Sequence, residues 1–432
     1  MELIKNYKLQ CIIIFTLLFS NFIFGWGFQN LSVSLVPVTY IFLFILLINI
    51  NIKNSLKLLN EINFLSIFII FLFYNLIHIY FGLINYGFIA LRDANYILDL
   101  LFLLVTISFV SKNKIAINKI LYFFKILFYV CFIYLLAWMF RDSIVGMSPI
   151  ITSITGSKTN LLFNFSAIGY LFCFISIYCL YFLKGDNSKK FFFWFFIILS
   201  VSIISKRYIY LTVIINFLLI FFIDKKKNYF NPFLILIFII FYVLSYINFF
   251  GIFNIELKPL TFYINHMLSS LPNYVPQDEF SRITSGTATW RADYLKSISL
   301  EMISSYKLFF FGKGYGMVLV DFKTPYGIPI REPHNLYLTI FARIGFVGLC
   351  FFSVLHFKII KILFKTYKYF QLKNLNNEKN LIILFIIFFL FVFISAGITS
   401  SILSVGCISS QLYILSGLGL SMSIYKEKIN YI

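Results

Sequence analysis

Charge is scarce in this chain, and acidic charge is scarcer still. Only 12% of its 432 residues are charged, and 16 acidic side chains stand against 36 basic ones. A soluble domain carries about twice that share of charge, so too little polar surface remains to face water. Cysteine is present but never at metal or redox spacing. Cys11, Cys131, Cys173, Cys179, Cys350 and Cys407 all fall inside apolar runs, where they read as small buried hydrophobes. DxD, HExxH, CxxC and Walker-type motifs are missing, so the sequence calls for no metal and no nucleotide cofactor. The GKGYG stretch at Gly312–Gly316 follows no strand of a nucleotide-binding unit and reads as a tight turn. The apolar run at 9–28 lacks a small-residue cleavage site, so it reads as an uncleaved first helix. Internal repeats and low-complexity tails are absent too.

What is abundant is apolar. Hydrophobic residues make up 61% of the chain, with 58 Phe and 29 Tyr. Runs of about bilayer length recur at 9–28, 34–50, 62–82, 93–110, 120–140, 163–183, 191–204, 208–223, 232–250, 335–357, 381–400 and 403–424. A span needs roughly 20 apolar residues. The reading is therefore an all-α integral membrane protein of about twelve transmembrane helices. Lysine occupies every second gap: Lys5 and Lys8, Lys53 and Lys57, Lys112 to Lys119, Lys184 to Lys190, Lys225 to Lys227, Lys365 to Lys379, then Lys426 and Lys428. Lysine-rich gaps face the cytoplasm, which predicts both termini inside. The net charge of +20 is spread over these clusters rather than gathered in one patch, so it orients the chain in membrane lipid and does not point to nucleic acid.

This topology divides the chain into helices one to nine (1–250), a long extracytoplasmic loop (251–333), and helices ten to twelve (334–432). Within the loop, Trp290, Tyr294, Ile298 and Met302 recur every four residues. That spacing predicts an amphipathic helix over Thr289–Ser304, capped by Thr287 or Thr289, which lies on the membrane surface or roofs a cavity.

The arginines are Arg92, Arg141, Arg207, Arg282, Arg291, Arg331 and Arg343. None falls in a predicted cytoplasmic loop, and Arg343 lies in the outer half of the tenth helix. Guanidinium offers a planar fork that grips phosphate or carboxylate with two parallel bonds, so an outward set suggests an anionic ligand handled outside. The plainer alternative is pairing with lipid headgroups or nearby carboxylates, which suits Arg92 beside Asp93 and Arg141 beside Asp142. Arg207 and Lys206 sit at a very tight outer turn, where two cations are costly unless they face a wet cavity or an anion. Of the histidines, His78 and His356 read as packing within helices, and His266 has no evident partner. His334, fixed by Pro333 at the start of the tenth helix, stands at a natural anion site and could act as a general base. Asn335 after it could simply cap the helix.

In order, SKR before an apolar run, TATWRADYLKSI, FGKGYG and EPHNLYLTIFARIGFVGL resemble the signature elements of the O-antigen polymerase and O-antigen ligase superfamily. The resemblance implies a membrane glycosyltransferase, metal-independent and without cofactor, working with an undecaprenyl diphosphate-linked oligosaccharide at the outer face of the bacterial inner membrane. By position it makes Arg207 and Arg291 binders of the diphosphate and His334 the base on the acceptor hydroxyl. Arg282, Lys206, Trp290 and Asn335 become substrate contacts, and Glu332 an orienting group for His334. Arg343 departs from relatives, where this position is often acidic. A chain-length regulator protein is left open as a further partner. Polymerisation of O-antigen or capsular repeat units leads. Ligation onto lipid A core is the nearest alternative. A lipid-linked oligosaccharide flippase is a third, weakened by the few mid-helix charges and the single long outer loop.

Overall fold

The computed structural model describes residues 2–33, 36–110, 114–138, 140–152, 158–163, 165–183, 185, 215–216, 218–220, 222–223, 292–321, 335–398 and 406–429. Predicted runs 191–204 and 232–250, most of 208–223, and the loop residues 251–291 and 322–333 lie outside the described residues.

The chain is predominantly helical. Its N-terminal part comprises α1 (Glu2–Phe24), α2 (Trp26–Gln29), α3 (Val38–Ile48), α4 (Ile52–Glu61), α5 (Leu65–Tyr86), α6 (Ile89–Asp93), α7 (Asn95–Val110), α8 (Lys114–Trp138), α9 (Arg141–Ile144) and α10 (Phe165–Tyr181). Two short hairpins, β1 (Ser32–Val33) with β2 (Val36–Pro37) and β3 (Ile150–Thr152) with β4 (Lys158–Asn160), are both antiparallel. The later part holds α11 (292–303), α12 (Tyr306–Phe311), α13 (Leu336–Leu372), α14 (Asn376–Ile398) and α15 (Gly406–Ile429).

Among the described residues, four helices are long and apolar enough to cross a membrane: Leu65–Tyr86, Ile117–Trp138, Leu336–Leu372 and Asn376–Gly397. The bent pair α3–α4 would make a fifth, and Lys8–Phe24, Asn95–Ile107 and Ile168–Tyr181 are shorter apolar helices. The chain is thus an integral membrane protein by composition and helix length.

The α3–α4 bend has a local cause. The chain turns by 88° between the two helices, and the Asn51 side chain caps α4 by accepting the Asn54 N–H at 3.1 Å. Ser55, Leu58 and Leu59 of α4 are buried while Lys53 and Lys57 stay exposed, and α4 packs against α7. The lysine-bearing segment between the second and third runs is therefore a two-faced helix rather than a simple loop, the kind that follows the polar edge of a bilayer.

Helix α14 is largely buried, with 72% of its most apolar window inside the structure, against 33% for α5. Phe73, Tyr80, Phe81 and Ile84 on α5 are exposed, an apolar face of the kind a membrane helix turns toward lipid. Without water to reward burial, membrane helices associate through close packing and small residues. Gly417 shows this: a Cβ there would run into Thr106 Oγ1 and the Leu103 carbonyl, so glycine lets α15 settle on α7. Cys11, Cys131, Cys173 and Cys179 are buried, while Cys350 is exposed.

Candidate functional site

Helix α13 is two helical segments joined across a kink. At Gly345 the chain adopts φ 68° and ψ −173°, a left-handed region favoured by glycine. The break strips the preceding carbonyls of their helical partners, and unmet polar groups are costly at membrane depth. The Gly312–Gly316 turn supplies replacements. Lys313 N–H donates to the Ala342 carbonyl and Gly314 N–H to the Arg343 carbonyl, each at 2.8 Å. The Tyr74 hydroxyl of α5 donates to the Ile344 carbonyl at 2.9 Å. Gly345 and Gly312 lie against backbone of α12 and α13, leaving no room for a Cβ at either.

A buried polar network surrounds this seam. The Arg343 guanidinium lies 2.9 Å from the Asp93 carboxylate, and neither side chain has any exposure. Arg343 also donates to the carbonyls of Gly314, at 3.3 Å, and Met317. Asp93 accepts from Gly316 N–H at 3.1 Å and from the half-exposed Arg92 at 3.2 Å. The Tyr315 hydroxyl donates to Asn75 Oδ1 at 2.6 Å and lies 2.7 Å from the Tyr96 hydroxyl. Burial holds the Tyr315 phenol well above its ordinary range, so it stays protonated and available as a donor.

The turn is tied to the loop helix as well. Lys313 Nζ bonds the Glu301 carboxylate and the Leu319 carbonyl. Tyr294, Ile298 and Met302 of α11 form a small apolar cluster with Leu319 and Ala342. Helix α11 therefore rests on the first segment of α13, ahead of Gly345. Asn335 opens that segment: its Oδ1 accepts the Leu338 N–H at 3.0 Å, and its Nδ2 donates to the Gly397 carbonyl of α14 at 2.7 Å. A substrate contact from Asn335 would have to share these bonds.

Of the other residues singled out from sequence, Arg207, Lys206, Arg282, Trp290, Arg291, Glu332 and His334 lie outside the described residues. Arg141 is satisfied locally, with Nε donating to the Phe163 carbonyl at 3.3 Å and the guanidinium 5.6 Å from the Trp138 ring centre. His356 is buried among Phe352, Phe389 and Phe393, and its Nε2 lies 3.1 Å from the Tyr413 hydroxyl, a packing role. Groups of three or more metal-binding side chains are absent among the described residues. Sequence reasoning missed the partnership of Arg343 with Asp93 and the anchoring of Tyr315. Arg343 inside an apolar run signalled a buried anion, but nothing in the sequence selected Asp93 over Asp99.

Comparison with curated proteins gives no match. A family model described as O-antigen ligase matches residues 192–353, a segment that includes α11, the glycine turn and the first half of α13. Over that segment the chain is similar to the O-antigen ligase and polymerase superfamily, whose members are of the membrane glycosyltransferase type.

Proposed function

We propose that the chain polymerises lipid-linked repeat units, moving a growing glycan from undecaprenyl diphosphate onto the next lipid-linked unit at the outer face of the inner membrane. The family match over 192–353 supports the glycosyltransferase part of this reading, polymerase and ligase alike, and the proposed arginine, arginine and histidine elements at Arg207, Arg291 and His334 all fall inside it. In the reaction, the acceptor hydroxyl oxygen bonds the anomeric carbon while the bond from that carbon to the diphosphate breaks. Undecaprenyl diphosphate leaves with the electron pair, and the hydroxyl proton passes to His334. Arg207 and Arg291 meet the charge that develops on the leaving diphosphate, where fixed cations count most.

Loop charge favours the polymerase over the ligase. Lys258, Arg282, Arg291, Lys296, Lys307, Lys313, Lys323 and Arg331 stand against Glu256, Asp278, Glu279, Asp293, Glu301, Asp321 and Glu332, nearly neutral in sum. A ligase must dock phosphorylated lipid A core and is better served by a broadly basic outer surface. The His334–Asn335 pair is also followed by Leu336 and Tyr337 rather than an acidic residue. A strain lacking the protein should make lipid A core bearing a single repeat unit, since a separate ligase would still act. Bare core with long polymer held on the lipid carrier would make this chain the ligase instead.

A further inference from the structure

Arg343 is a full charge with no exposure, in a helix otherwise apolar around it. Burying a charge in the membrane is costly, and such residues are retained for a task. The task is legible in its bonds. Arg343 connects the bundle through Asp93 of α6, the glycine turn through the Gly314 and Met317 carbonyls, and, by its own backbone, the first segment of α13.

The turn grips back. Its N–H groups bond the Ala342 and Arg343 carbonyls, Gly316 N–H bonds Asp93, and the Tyr315 hydroxyl reaches Asn75 and Tyr96. With α11 packed on Ala342, residues 292–319 and 335–344 form one body. Its polar ties to α5–α7 run through Tyr74, Asn75, Asp93 and Tyr96. In sequence, Arg291 immediately precedes this body's first piece and His334 its second.

We propose that Arg343 and Tyr315 are positioning residues. The Arg343–Asp93 pair and the Tyr315 hydroxyl fix the orientation on the bundle of this body, whose two pieces begin in sequence directly after Arg291 and His334. This rests on the reading given under Proposed function. A displacement of about 1 Å at a reacting centre costs on the order of a hundredfold in rate, so a lock of this kind acts on turnover more than on donor binding.

The test uses full-length protein purified in lipid nanodiscs, with undecaprenyl diphosphate-linked repeat unit as substrate. Tyr315→Phe deletes one oxygen and keeps the ring, and Arg343→Lys keeps the charge but loses the fork. Tyr315→Phe should lower kcat about tenfold, the worth of a buried hydrogen bond, and Arg343→Lys on the order of a hundredfold. KM for the donor should stay within about twofold in both. A merely structural role would lower the melting temperature and the active fraction while leaving the kcat of folded enzyme unchanged, and that result overturns the proposal. A raised KM at constant kcat also overturns it. If Arg343→Lys fails to insert, Tyr315→Phe alone decides. Arg291→Lys and His334→Ala run alongside: wild-type rates from these would sink the underlying reading, whereas their loss with normal kcat in Tyr315→Phe would sink only the positioning role.

Discussion

Replacing Asp93 by asparagine should be among the most damaging single changes in the described bundle. Its carboxylate holds Arg343 at 2.9 Å with both side chains fully buried, while a second cation beside it, Arg92, has a side chain 44% exposed. Removing one member of a buried pair strands the other charge and costs about 3–5 kcal/mol. An exposed ion pair contributes about 0–1 kcal/mol. Asp93→Asn should therefore shift the folded-to-unfolded ratio by roughly a hundred- to several-thousand-fold, against at most about fivefold for Arg92→Ala. The double change Asp93→Asn with Arg343→Met should recover much of the loss, because a buried pair is close to break-even against neutral packing. Denaturant titration in detergent micelles of the wild type, both singles and the double closes this thermodynamic cycle. Equal stability of Asp93→Asn and Arg92→Ala, or a double variant as unstable as the single, would refute the reasoning.

Glycine requirements along the seam should differ sharply. Gly314→Ala meets no neighbour and carries only the strain of its positive φ, about 1–2 kcal/mol. Gly345→Ala would press a Cβ into the Phe310 carbonyl and should abolish folded protein in a size-exclusion assay. Because only guanidinium offers a two-pronged grip, Arg207→Lys and Arg291→Lys should fail nearly as badly as alanine, losing roughly thirty- to several-thousand-fold in rate in a radiolabelled-donor assay; a normal rate from Arg291→Lys removes the diphosphate clamp. Reporter fusions at Asn54, Lys226 and Asn376 should signal cytoplasm, and those at Ser153 and Asp278 the outer compartment. An outer signal at Lys226 would put Arg207 on the wrong side.

The helices were legible where the chemistry is one-dimensional. Runs 62–82, 93–110, 120–140, 163–183 and 381–400 each coincide with a helix, because a backbone in lipid must satisfy its own hydrogen bonds. Helix α13 was harder. Its apolar run ends near 357, yet the helix continues to Leu372, burying Ile359, Leu363, Thr366 and Phe370 while Lys361, Lys365 and Lys368 stay exposed. A drop in hydropathy marks the edge of the membrane, not the end of a helix. Helix α4 was hidden for a similar reason, since Lys53 and Lys57 masked the spacing of Ser55, Leu58 and Leu59. The GKGYG turn could be recognised as a turn, but not as the group that completes a broken helix some thirty residues later. Residue spacing carries no information about a partnership such as Arg343 with Asp93, which only the packing of α6 against the seam creates.

Chain growth on the lipid carrier is the central claim, and it can be measured directly. Purified full-length protein is incubated with synthetic undecaprenyl diphosphate-linked repeat units, once alone and once with lipid A core, and the products are resolved by gel electrophoresis. The account predicts a ladder of lipid-linked oligomers without lipid A core, unchanged by chelator and absent from His334→Ala. Product that forms only when lipid A core is added, and only on that core, would contradict it.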